Sequence, residues 1–161
     1  RERFGTDEVL NPLSYKKETA AVFCQDMYTI ADCIEVCKFI TAHNGHGITM
    51  QDMADMLSAV TGRDFDTAAL HTIAERVYTL ERAFLVRQGI RKKDDFLRGK
   101  WVSGPIPGGR FAGEEIDTGA WSRMLSAYYR LRGWDPETGV PTPETLNRLG
   151  LKDIVSTGSG G

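Results

Sequence analysis

The chain has 161 residues, 41% of them apolar, with 20 lysines and arginines against 22 acids and a net charge of −2. That length fits one domain, or one lobe of a larger protein, with enough apolar residues to bury a core. The negative balance reads against a phosphate-tracking nucleic-acid binder, and no run of about 18 apolar residues offers a membrane span.

Residues 1–15 read as a polar leading loop with an Asn11-Pro12 turn signal. The start at Arg1, without Met, suggests a piece of a longer protein. Lys16 to His43 contain no Gly or Pro and predict a long helix stopped by Asn44-Gly45. Its apolar residues (among them Val22, Phe23, Met27, Ile30, Val36 and Phe39) fall all round the wheel. Such a helix is buried on most sides, which in a short chain points to missing partner surfaces.

A second helix is predicted from Thr49, with Asp52 three residues on as a capping-box partner and Gly62 as the stop. Met53, Met56, Leu57 and Val60 make its apolar stripe. Asp66 caps a third helix whose core face is Ile73, Val77, Leu80 and Phe84 and which Gly89 ends. On that helix Glu75, Arg76, Glu81 and Arg82 read as an ion-paired solvent face.

Arg91 to Glu115 show no period, and "SGPIPGGRFAG" is loop chemistry. A loop of roughly 20 residues is long for a compact domain, so it wraps a neighbouring surface or covers a site. A fourth helix is expected from near Asp117 to Arg132, with Trp121, Leu125, Tyr128 and Leu131 on one side. "GWDPETGVPT" is a double turn, and Thr142 with Pro143 starts a short last helix closed by Gly150. "YYRLRGWD" reads as an aromatic core cluster at a helix end. The expected architecture is all-α, an irregular bundle of about four or five helices with a long Gly/Pro-rich loop.

Three cysteines are present, Cys24, Cys33 and Cys37, and no signal-peptide pattern opens the chain. An odd count without a leader fits a reducing cytoplasm rather than a secreted disulfide scaffold. In "ADCIEVCKF" Cys33 and Cys37, four apart, would share a helix face. Spacing alone favours two small buried groups, and leaves a redox or ligand role open. Three thiols cannot complete a four-thiolate cluster. Asp32, on a mostly apolar helix, must be solvated, paired or bound to a donor-rich ligand. His43, His46 and His71 read as isolated. No Ser-His-Asp spacing, Walker loop or dinucleotide fingerprint is present.

Two segments go further. "IAERVYTLERAFLVRQGIRKKDD" (Ile73 to Asp95) and "YYRLRGWDPETGVPTPETLNRLGL" (Tyr128 to Leu151) resemble the C-terminal region of the tungsten-containing aldehyde:ferredoxin oxidoreductase family. That family's Arg-x-x-x-Leu-Glu-Arg helix, Tyr-Tyr-x-x-Arg-Gly-Trp-Asp turn, Gly-x-Pro-Thr and terminal Leu-Gly-Leu occur here in order. The resemblance covers roughly residues 16 to 153, the helical C-terminal domain, and leaves 154–161 as a flexible tail.

The family also carries an Asp-x-x-Gly-Leu-Cys motif. Its Asp belongs to the residues that hold a bis-pterin chelating tungsten or molybdenum. Its Cys is the fourth ligand of a 4Fe-4S cluster. The matching residues are Asp32 and Cys37, with Glu35 and Val36 where the family has Gly and Leu. The resemblance thus implies Asp32 and Val36 as cofactor-binding residues and Cys37 as a metal ligand, whereas Cys33 gains no role. Gly permits positive φ, and Glu does not do so cheaply. The family's upstream three-cysteine motif is absent from this sequence.

By resemblance, the whole enzyme oxidises an aldehyde at the pterin-bound metal and passes electrons through the cluster to ferredoxin or an electron-transfer subunit. This stretch then needs the N-terminal domains of its own chain and is inactive alone, with a homodimer as the candidate assembly. No catalytic acid or base is assigned. Two alternatives stand beside this reading: the tungsten subunit of a benzoyl-CoA-type reductase, and a cofactor-free helical interaction module.

Overall fold

The computed structural model describes residues 4, 7–41, 46–99 and 102–153. Among them lie five α-helices: α1 (Glu18–Cys33), α2 (Met50–Thr61), α3 (Thr67–Arg87), α4 (Thr118–Leu131) and α5 (Pro143–Arg148). Short 3-10 turns occur at Glu8–Leu10, Lys38–Ile40 and Lys92–Asp94. No strand forms among the described residues, only isolated bridges between Thr41 and Ile48 and between Trp134 and Pro141. None of these helices is long and apolar enough to cross a membrane. The all-α expectation holds.

Helix starts follow the sequence closely. Thr49 and Asp52 form a full capping box, with each side chain accepting from the other's backbone N–H. Asp66, Asp117 and Thr142 each cap a helix by accepting from the N–H three residues on. Pro143 occupies the first turn of α5, where its missing N–H costs nothing. Gly62 ends α2 in the left-handed conformation.

α1 is the exception. It ends at Cys33, not at His43, and the expected stop Asn44-Gly45 lies outside the described residues. The terminator is a Schellman closure built on Glu35, which adopts φ 59°. Beyond the helix, Ile34 and Ile48 pack on the core, so tertiary burial overrides the helical propensity of this stretch. The closure also separates Cys33 from Cys37; both are exposed, and the expectation of a shared buried face fails.

α1 packs against α3 and α4, and α2 packs against α3. One end of the core is apolar: Met27, Ile30, Met50, Met53, Leu70 and Ala74, flanked by Phe23, Leu57 and Phe65. The other end is aromatic and charged. Tyr129 and Trp134 are buried there, with Tyr78 stacked on Trp134 at 6.2 Å. The expectation of an aromatic cluster in "YYRLRGWD" holds.

The predicted stripes are displaced. Val60, Phe84 and Leu131 are exposed, whereas Thr79, Arg82 and Ser126 are buried. Arg82 is the reason on α3. Its guanidinium grips the Asp95 carboxylate with two bonds of 3.0 and 2.7 Å and donates from Nε to the Gly139 carbonyl. Burying an arginine without such partners costs several kcal/mol, about 3–5, so the ion pair sets the helix rotation. The ion-paired solvent face expected around Arg82 is therefore corrected.

The long loop is tied down at its start. Asp95 binds Arg82, and the Lys92 ammonium donates to Ser126 Oγ and the Pro136 carbonyl. Further on it folds back on itself, Ile106 N–H to Glu114 O and Gly113 N–H to Ile106 O. There it walls a cavity of about 760 Å³ with Leu13, Tyr15, Trp121 and Met124.

Candidate cofactor-binding site

The residues that the resemblance implies, Asp32, Val36 and Cys37, lie together at the C-terminal end of α1. Three backbone bonds shape it. Ile34 N–H donates to Ile30 O at 3.0 Å, Glu35 N–H to Asp32 O at 3.3 Å and Val36 N–H to Ala31 O at 2.8 Å. The last two are the paired bonds of a Schellman motif. Asp32 sits on the last helical turn, Glu35 takes the left-handed position, and Val36 and Cys37 follow. The backbone at Cys37 is extended, φ −61° and ψ 123°.

The segment after Cys37 is fixed from below. Thr41 Oγ1 and Thr41 N–H both donate to the Lys38 carbonyl, at 2.7 and 3.1 Å. Ile48 N–H donates to Ile40 O at 2.7 Å. Gly47, φ 96°, comes so close that an added Cβ would stand 2.1 Å from that same Ile40 oxygen. Only glycine fits there.

Asp32 is exposed and paired: its Oδ2 lies 2.7 Å from Lys38 Nζ. It borders a cleft of about 380 Å³ together with Thr29, Cys33, Tyr78 and Glu81. Val36 is half-buried, and Cys37 is exposed. No group of three or more His, Cys, Asp or Glu side chains among the described residues could hold a metal ion. A cubane iron–sulfur cluster takes one thiolate per iron. A single exposed thiol therefore fits as one ligand of four, the others coming from elsewhere. Asp32 has one oxygen engaged and keeps acceptor capacity for N–H donors, which fits a pterin edge.

A second constellation escaped the sequence reading. Arg132 is 1% exposed at its side chain and donates from Nη1 to Asp26 Oδ1 at 2.7 Å. Its Nη2 donates to Gln25 Oε1 at 2.8 Å. The other Asp26 oxygen lies 3.1 Å from His71 Nδ1, so His71 is not isolated. That hydrogen bond to Asp26, more than the pair's charge attraction, raises the His71 pKa above its ordinary value, against the opposing effect of burial. Arg132 also stacks 4.6 Å from the Tyr78 ring centroid, and Arg82 lies 5.3 Å from that of Trp134. The Tyr129 hydroxyl donates to Asp95, and burial raises its pKa.

Asp26 carried the same signal as Asp32, a carboxylate on an apolar helix. Arg132 and Arg82 carried no signal in charge or periodicity, though both stand in the family's Tyr-Tyr-x-x-Arg-Gly-Trp-Asp and Arg-x-x-x-Leu-Glu-Arg patterns. The "YYRLRGWDPETGVP" segment thus builds a structural corner. Tyr129, Arg132 and Trp134 form it, and an added Cβ at Gly139 would stand 2.4 Å from Arg82 Nη2.

Comparison with known proteins agrees with the resemblance. The family described as aldehyde ferredoxin oxidoreductase, domains 2 and 3, matches residues 2–151. The tungsten-containing aldehyde ferredoxin oxidoreductase of Pyrococcus horikoshii is 32% identical over 144 residues, 89% of this chain and 22% of that protein. The protein of the same name from Thermococcus kodakarensis is 31% identical over the same shares. Among solved structures, the active-site complex of a benzoyl coenzyme A reductase with 1,5-dienoyl-CoA superposes with a TM-score of 0.61 at 26% identity. That match covers 89% of this chain and 21% of the other. The chain thus spans about a fifth of the length of its relatives, and it belongs to the aldehyde ferredoxin oxidoreductase family.

Proposed function

We propose that the full-length protein is a tungsten or molybdenum bis-pterin, iron–sulfur oxidoreductase of the cytoplasm. It oxidises aldehydes and delivers the electrons to ferredoxin or an electron-transfer subunit. Residues 16–153 form its helical C-terminal domain, which contributes Cys37 to a 4Fe-4S cluster and Asp32 and Val36 to the pterin contacts. The observation that carries this reading is the closing turn of α1, which sets an acceptor carboxylate and an exposed thiol on either side of one left-handed residue. The names of the relatives point the same way.

Bound there, the pterin-held metal supplies two-electron redox chemistry on a carbonyl, and the cluster supplies a one-electron exit. The chain's own part is positioning. Asp32 accepts hydrogen bonds from N–H donors, Cys37 holds one iron as its thiolate, and the Thr41–Ile48 bridge keeps the Cys37 segment in register. The exposed Phe39 and Ile40 beside Cys37 suit an interface with the N-terminal domains of the same chain.

The test is metal analysis and an electron paramagnetic resonance spectrum of the reduced full-length protein, expressed with tungsten and iron supplied. Tungsten with a cluster signal is expected. Absence of both would leave a cofactor-free helical interaction module. One observation favours a second substrate class, the structural match to a benzoyl coenzyme A reductase. Dye-linked aldehyde oxidation measured against reduction of an aromatic CoA thioester separates the two.

A further inference from the structure

We infer that Lys38 is a positioning residue of the proposed cofactor site: it holds the Asp32 carboxylate for the pterin. This rests on the role proposed above for Asp32.

Lys38 directly follows Cys37, yet its side chain returns across the end of α1 to reach Asp32 Oδ2 at 2.7 Å. Its Nζ also stands 5.7 Å from the Tyr28 ring centroid. The backbone beneath it is held by the two Thr41 bonds to the Lys38 carbonyl. The ammonium therefore reaches the carboxylate across the closing turn of α1.

The pairing answers an electrostatic problem. A carboxylate on the last turn of a helix faces the negative end of the dipole. Without a cation Asp32 would be driven outward. With Lys38 on Oδ2, the carboxylate is oriented and Oδ1 is left without a protein donor among the described residues, free for ligand N–H groups.

The side chains of Lys38 and Asp32 are 45% and 63% exposed. A pair so wet adds little to fold stability, so stability does not account for the geometry.

The experiment compares the full-length wild type with Lys38→Gln, Lys38→Arg and a remote control, Lys152→Gln. Tungsten and iron contents and the thermal midpoint are measured. Lys38→Gln is expected to lower the tungsten content while retaining iron and thermal midpoint. Lys38→Arg should restore the tungsten content, and the control should match wild type. Wild-type tungsten in Lys38→Gln would overturn the inference, as would a Lys38→Arg protein that departs as far as Lys38→Gln. If Lys38→Gln loses all metal, recovery in Lys38→Arg supports the role and failure to recover refutes it. A wild type with no tungsten overturns the underlying reading of Asp32 together with this one.

Discussion

The Val36 N–H donates to the Ala31 carbonyl at 2.8 Å, and this closure fixes where Asp32 and Cys37 stand. It holds Glu35 at φ 59°, the only non-glycine residue with positive φ among those described. A left-handed L-residue costs about 1 kcal/mol or more. Glu35→Gly is therefore expected to raise the unfolding free energy by about 1 kcal/mol in urea denaturation. Glu35→Val, β-branched, should lower it. A glycine variant less stable than wild type would mean that the left-handed turn is not the strained element.

The two exposed thiols should separate by metal content. Cys37→Ala in the full-length protein is expected to lose or destabilise the cluster, read as iron, sulfide and the reduced-state resonance signal. Cys33→Ala should keep all three, since Cys33 is exposed and fills no packed position. Equal loss from both variants would show that the ligand was assigned to the wrong thiol.

Gly139 and Gly62 share positive φ, 73° and 68°, but not surroundings. A Cβ at Gly139 would lie 2.4 Å from Arg82 Nη2 and 2.9 Å from Tyr129 Cζ, whereas one at Gly62 meets nothing within 4 Å. Gly139→Ala should cost about 3 kcal/mol, strain plus overpacking. Gly62→Ala should cost about 1 kcal/mol, backbone strain alone. Equal losses in denaturant titrations would remove the contact argument.

Removing Arg132 leaves Asp26 buried with only His71 nearby. Arg132→Ala is expected to destabilise by about 3–5 kcal/mol, the usual result of stripping one partner from a buried pair. The double variant Arg132→Met with Asp26→Leu should recover much of that, because no unpaired charge is left. A double variant no better than the single one would argue that packing against Tyr78, not charge, is what Arg132 supplies.

The His71 pKa is raised in the fold by its hydrogen bond to Asp26, from an ordinary value of 6.5. The folded state thus holds its proton more tightly than the unfolded chain. The associated stability is fully present below about pH 6.5 and is lost as pH rises through the higher folded value. Stability of the wild type should fall across that window, and His71→Gln should flatten the profile. An unchanged profile would mean that the proton is not held by Asp26.

Local signals were legible where a few adjacent residues decide the outcome. Thr49 with Asp52, Asp66, Asp117 and Thr142 announced every α-helix start after α1, and Gly62, Gly89 and Gly150 three stops, because a cap is a contact within one turn. The family pattern named Asp32, Val36 and Cys37 as site residues and flagged Glu35 as the departure from glycine. What the sequence did not decide is which face each helix turns inward. Asp26 meets Arg132 across 106 residues, and Arg82 meets Gly139 across 57. Buried charges demand those partners more strongly than Val60, Phe84 or Leu131 demand burial. α1 likewise ends at Cys33 because the packing of Ile34 and Ile48 outweighs a helical pattern that ran ten residues further. Local composition sets what a segment can form; the long-range pairing of buried charges and core side chains sets where it stops and which way it faces.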